Sequence, residues 1–209
     1  MKRIILGFTV LIMVFSCANY KKEKLELEKM KVDYPYDQTV DNAIKIGTFY
    51  NMKYSKNKEQ IEEGLKFIEE ARNIYPDNNK LLVLNGNLYT IYGGEFAKKL
   101  DLPNIMKYLD MGTQMLDTAV QREPDNWDFL LWRGINSVVM PKQAGRTEVG
   151  IEDFKKLYEM ENLPEPVKVM VLYYYAMGLK KNEQKEDAKK IEKELKEKYP
   201  NYKETLKNN

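Results

Sequence analysis

Apolar positions recur at helical spacing in several stretches of the chain. Leu65, Ile68, Glu69 and Arg72 define an amphipathic face within Lys58–Tyr75. Met111, Met115, Leu116 and Ala119 repeat the pattern within Pro103–Arg122. Ile151, Phe154, Leu157 and Tyr158 mark a third stretch, and Ala188, Ile191 and Leu195 a fourth. Steps of three and four residues place such side chains on one side of a helix. Segments rich in Ala, Gly and Tyr lie between these stretches and read as an inner helical layer. Alternating β-branched residues are scarce, so no sheet is expected and the fold class is all-α.

Punctuation along the chain repeats as well. Tyr75-Pro76-Asp77-Asn78, Glu123-Pro124-Asp125-Asn126 and Tyr199-Pro200-Asn201 each close a helical pattern. Proline stops one helix there, and Asp or Asn caps the next. Ala71, Ala119 and Leu195 each stand five residues before their proline. A small residue recurs in the preceding helices, in Ile46-Gly47 with Tyr50, Asn85-Gly86 with Tyr89, Arg133-Gly134 and Tyr175-Ala176.

These residues resemble the tetratricopeptide (TPR) repeat, a helix-turn-helix unit of 34 residues in which the small residue lets two helices approach. The resemblance covers roughly Asp37 to Tyr202 as four degenerate helix pairs, and it implies a TPR-like α-solenoid. The last pair follows the family spacing best, with Ala176, Ala188, Leu195 and Pro200. Gly93 to Met106 reads as an insertion, with Gly93-Gly94 as a helix end, and Met140-Pro141 to Thr147 reads as a lengthened turn. Asn162-Leu163-Pro164 stands where the third pair lacks its closing proline. In that family the first helices line a concave groove. Carried over one by one, the groove positions are Ile44 and Lys45; Val83, Leu84 and Asn87; Leu131 and Trp132; and Tyr173, Tyr174 and Met177. Of the Lys and Asn pattern by which some members clamp a carboxylate, only Asn87 is present, so no such clamp is expected. In Tyr173-Tyr174-Tyr175 the rings point to three sides of one helix, so at least one hydroxyl should meet solvent or a ligand.

The amino terminus follows a different logic. Met1-Lys2-Arg3 precedes an apolar run from Ile4 to Phe15 and then Ser16-Cys17, as in an export signal. The run falls short of the roughly 20 residues needed to span a bilayer. Val14-Phe15-Ser16-Cys17 resembles a lipobox, which implies cleavage before Cys17 and acylation of that residue, the only cysteine in the chain. Phe15 is bulkier than the family's usual residue. Ala18 in the following position leans toward the outer membrane in a diderm bacterium. The expected organisation is a lipoprotein signal at 1–16, a charged tether at 17–36 and a repeat domain at 37–209. The tether carries Lys21, Lys22, Glu23, Lys24, Glu26, Glu28, Lys29 and Lys31 and is expected to be transiently helical.

Composition narrows the function. The chain has 209 residues, 43% hydrophobic and 32% charged, as suits a globular protein. Removal of Lys2 and Arg3 with the signal brings the 34 basic residues level with the 32 acidic ones, which argues against nucleic acid as a partner. There is no histidine, and one cysteine forms neither an intramolecular disulfide nor a Cys-rich zinc site. No catalytic residues, metal ligands or cofactor are expected. Glu62-Glu63, Glu69-Glu70 and Glu152-Asp153 read as solvated helix faces paired with nearby lysines. Pro141 to Arg146 reads as a solvated basic loop, with an anion site at the following helix start as the sharper alternative. The 15 tyrosines suit half-exposed surfaces. The leading expectation is therefore a lipid-anchored envelope adaptor that binds an envelope protein or peptide in its groove. An accessory lipoprotein that binds an apolar small molecule for a periplasmic transporter comes second, and a carboxylate enzyme third.

Overall fold

The computed structural model describes residues 17–208, with side chains from 22 to 206. The export signal read at 1–16 lies outside the described residues, as does the side chain of Cys17. The described backbone holds ten α-helices and two short 3-10 turns, with no strand among the described residues. None of the described helices is long and apolar enough to cross a membrane. The chain divides into two compact units, Met1–Arg122 and Glu123–Asn209.

The first unit contains α1 (Cys17–Asp33), α2 (Val40–Met52), α3 (Lys58–Ile74), α4 (Asn79–Ala97) and α5 (Leu102–Arg122). Capping side chains set several starts. The Thr39 hydroxyl accepts from the Asn42 amide, Asn57 from Gln60 and Asn78 from Leu81. Each such cap stabilises its helix by about 1 kcal/mol. Consecutive helices pack on each other from α2 to α5, and α2 also packs on α4. Of the expected stripe on α3, Leu65 and Ile68 are buried, together with Ile61 and Ala71, while Glu69 and Arg72 are half-buried. Helix α4 is covered on nearly all sides, and every residue from Leu81 to Leu88 is buried.

Two expectations for this unit need correction. Gly93-Gly94 does not end a helix, because α4 runs on to Ala97. The stretch read as an insertion lengthens α4 and α5 and leaves a short turn between them. The reason is packing: a Cβ on Gly93 would lie 3.3 Å from the Leu109 side chain, so the glycine admits α5 rather than breaking α4. The charged stretch read as a tether is the helix α1. It packs on α2, buries Leu27 completely, and pairs Glu23 with Lys56 at 2.6 Å and Lys31 with Glu63 at 2.5 Å.

The second unit contains α6 (Trp127–Val139), α7 (Thr147–Tyr158), α8 (Glu165–Lys181), α9 (Lys185–Lys198) and α10 (Tyr202–Asn208). Asn126 caps α6 by accepting from the Asp128 and Phe129 amides. The expected long turn separates α6 from α7, with Gly145 left-handed at φ 67°. Helices α6 to α9 pack in chain order, and α6 also packs on α8. Val169, Leu172, Ala176 and Leu179 of α8 meet Ala188, Ile191 and Leu195 of α9 in one core. Asp153 was grouped with the solvated acids, yet it is 2% exposed. Arg133 donates to it from Nε at 2.9 Å and Nη2 at 2.6 Å, which ties α6 to α7. The Lys181 ammonium closes the end of α6 by donating to the carbonyls of Val138 and Met140. Burial lowers the pKa of that ammonium.

The helix pairs α4–α5 and α6–α7 share one device. A Cβ on Gly112 would lie 2.5 Å from the Gly86 carbonyl oxygen, and one on Gly150 would lie 3.0 Å from that of Gly134. Backbone therefore rests on backbone at both crossings. Overpacking such a contact costs about 1–3 kcal/mol, whereas alanine gains roughly 0.8–1.0 kcal/mol in helix propensity over glycine. The expected outcome for Gly112→Ala is a lower urea midpoint with an unchanged slope. A midpoint that rises would show that α4 and α5 do not meet there.

Candidate binding surface and the polar network behind it

The residues expected to line a groove have different fates. In the first unit Val83 and Leu84 are fully buried. Leu84 is core because it fills the space beside Gly47. Ile44 is half-buried and Lys45 exposed. Asn87 is buried and serves structure. Its Nδ2 donates to Asn51 Oδ1 at 2.6 Å, and Asn51 Nδ2 donates to the Gly47 carbonyl at 2.8 Å. This amide relay joins α4 to α2. A buried amide without such partners would cost about 1–3 kcal/mol.

In the second unit Leu131 is buried, and Trp132 is half-buried with its indole N–H donating to Asp128 at 3.2 Å. Tyr174 is buried and stacks on Phe154 at 6.1 Å, and burial raises its pKa. Tyr173 meets Tyr174 edge-on at 5.1 Å and stays half-exposed. Met177 is also partly exposed, one turn beyond Tyr173 on the same side of α8. The residues left for contact are thus Trp132, Tyr173 and Met177 here and Ile44 in the first unit. Leu84, Asn87, Leu131 and Tyr174 are packed away. The expectation that not all three tyrosines can face the core holds, since Tyr173 and Tyr175 remain partly exposed.

A cleft of about 170 Å³ lies where the end of α7 meets α8 and α9. Tyr158, Leu163, Lys168, Glu194 and Lys198 are among its walls. Glu194 accepts from Tyr158 at 2.7 Å and from Lys198 at 2.8 Å. Those two bonds hold its pKa below the usual value, against the opposing effect of burial. The volume is small beside the roughly 300–1,000 Å³ typical of small-molecule sites. No cluster of three or more metal-ligating side chains occurs among the described residues.

The sequence reading missed a set of tyrosine–carboxylate pairs on α3. Tyr50 donates to Glu63 at 2.9 Å, Tyr92 to Glu62 at 2.5 Å and Tyr89 to Glu69. Glu62 does keep the expected pairing with Lys58, but these acids also receive hydroxyls from α2 and α4. The signal was present in the helical spacing of Tyr89 and Tyr92 opposite three acids, although pairing between helices has no mark of its own in sequence. Behind the pairs Tyr92, Phe96 and Tyr108 form an aromatic cluster with centroids 4.7–5.3 Å apart.

No family model matches the chain, and neither a curated protein nor a solved structure matches it.

Burial, and then donation to a carboxylate, raises the pKa of Tyr50, Tyr89 and Tyr92 above the ordinary 10.0. The folded chain therefore keeps protons that the unfolded chain loses above pH 10.0. Stability should be level through neutral pH and fall as pH rises past 10.0. Urea midpoints taken across that range should show the fall, and Tyr89→Phe/Tyr92→Phe should reduce it. Normal ionisation of every tyrosine in a chain that stays folded would contradict the pairing.

Proposed function

We propose that this chain is a lipid-anchored adaptor of the bacterial cell envelope, tethered through Cys17 and built from TPR-like helix pairs. Its partner is an envelope protein or peptide. The observation that carries the reading is the recurrence of the helix pair with small residues at the crossing. Gly47 and Gly64 stand in α2 and α3, Gly86 and Gly112 in α4 and α5, Gly134 and Gly150 in α6 and α7, and Ala176 and Ala188 in α8 and α9. Each is buried. Repeats of this kind bury one side of each pair and leave the first helices to recognise partners.

In the second unit the recognising surface is Trp132 on α6 with Tyr173 and Met177 on α8. Aromatic side chains and methionine are favoured where proteins meet, because they bring large contact areas and adapt in shape. Most of the residues around them are already fixed. Asp128 holds the Trp132 indole, and Tyr174 with Phe154 backs Tyr173. A surface whose side chains are ordered beforehand loses less entropy on binding.

Two measurements test this reading. Cells fed an alkyne analogue of palmitate should label the wild-type protein and fail to label Cys17→Ser; equal labelling of both would remove the anchor. In-cell crosslinking and mass spectrometry should then recover an envelope protein with wild type that Trp132→Ala/Tyr173→Ala loses. Equal recovery from both would move the contact away from this surface.

A further inference from the structure

Three features meet at one end of the first unit. The first is the amino-terminal part of α1, which bears Cys17. Glu23 of α1 bonds Lys56, in the turn between α2 and α3. The second is that turn itself, flanked by exposed Met52 and Lys53. The third is the turn between α4 and α5. Lys58, at the start of α3, lies 5.5 Å from the centre of the Phe96 ring near the end of α4. The turns after α2 and after α4 therefore stand at the same end, and so does the start of α1.

That end carries apolar side chains which nothing in the unit covers. Leu100 is 70% exposed, Leu102 65%, Met106 56% and Met52 48%. Leu102 and Met106 are one turn apart and share a side of α5. Leu100 has a left-handed backbone with φ 55°, a strained conformation for a leucine. The chain thus tolerates strain while holding a large apolar side chain in the open.

Charge surrounds these residues. Lys53, Lys99 and Lys107 have no carboxylate partner among the described residues, and Lys53 and Lys107 lie over the rings of Phe49 and Tyr108. The acids nearby are mostly engaged, Glu23 with Lys56, Glu62 with Lys58 and Glu95 with Lys98, while Asp101 accepts from Asn104. Glu59 and Asp110 are exposed exceptions, Asp110 one turn beyond Met106. Apolar residues ringed by free lysines suit the boundary between acyl chains and anionic headgroups.

We infer that Leu100, Leu102 and Met106 insert into the membrane surface beside the lipidated Cys17, as a second contact that fixes how the first unit faces the bilayer. The inference rests on the anchor reading. Glu23 stands six helical steps from Cys17, about 9 Å, so the docked α1 keeps this end at the surface. Insertion of a few apolar side chains reaches about 5–10 Å into the headgroup region.

The test uses the full acylated chain in vesicles of equal parts phosphatidylethanolamine and phosphatidylglycerol. An acylated Cys17 takes no thiol label, so Leu102→Cys or Ile74→Cys supplies the single reactive site for an environment-sensitive dye. Ile74 ends α3, about 25 Å along that helix from Lys58. With lipid-borne quenchers, the dye at position 102 should shift to the blue and lose most of its emission, while the dye at 74 should not change. If the protein is membrane-bound and both positions behave alike, the second contact is refuted and the anchor stands. If the protein stays soluble and the wild type takes label at Cys17, the anchor reading fails and the insertion falls with it.

Discussion

The constraint on which both units depend is the distance between paired backbones. Where α4 crosses α5, Gly86 and Gly112 each face the carbonyl of the other, and where α6 crosses α7, Gly150 faces the carbonyl of Gly134. No larger residue fits at the Gly86–Gly112 crossing without moving a helix. Close crossing brings the flanking side chains into contact, and the core follows from it. Leu116 and Thr90 are buried beside the first crossing, and Phe154, Ser137 and Val138 beside the second. The pair of half-buried Arg133 and buried Asp153 spans the second crossing as well. Its two parallel hydrogen bonds fix the register of α6 on α7, because a guanidinium and a carboxylate match only when both are aligned.

The helical class and the limits of α3 and α5 are legible in the sequence. The stripes on α3 and α9 and the Pro-Asp-Asn stops translate directly into buried faces and capped starts. Three things were not legible. Gly93-Gly94 looks like a stop because glycine commonly ends helices, and only the neighbouring α5 explains why α4 continues. Helix α1 has no continuous apolar stripe; it is held by Leu27 and by charges whose partners lie more than thirty residues away. The exposure of the carried-over positions was not legible either. A family position says which side of a helix a residue takes, whereas burial depends on what the next helix places over it. Leu84 and Tyr174 fall under such neighbours; Trp132, Tyr173 and Met177 do not.

Polar groups inside the first unit link its helices at two places. Glu63 receives both Tyr50 and Lys31, so one carboxylate joins α1, α2 and α3. Asn51 and Asn87 continue the polar links from α2 to α4. These bonds satisfy groups that burial would otherwise penalise, and they are directional where apolar packing is not. The result is a first unit whose helices are keyed to one another at defined points.

One feature of α1 bears on how such a protein meets its partners. The helix is held by one fully buried leucine and two partly exposed ion pairs. Ion pairs of this kind are worth about 0–1 kcal/mol each and weaken with salt. For a chain fastened at Cys17, α1 sets the length of the leash. Docked, it holds the unit about 9 Å of helix from Cys17; released, all 17 of its residues become leash. The space swept by a leashed domain grows steeply with leash length, and the local concentration it presents to a neighbour falls in step. The chance of encounter in the plane of a membrane is then governed by Leu27, Glu23 and Glu63, none of which needs to touch the partner.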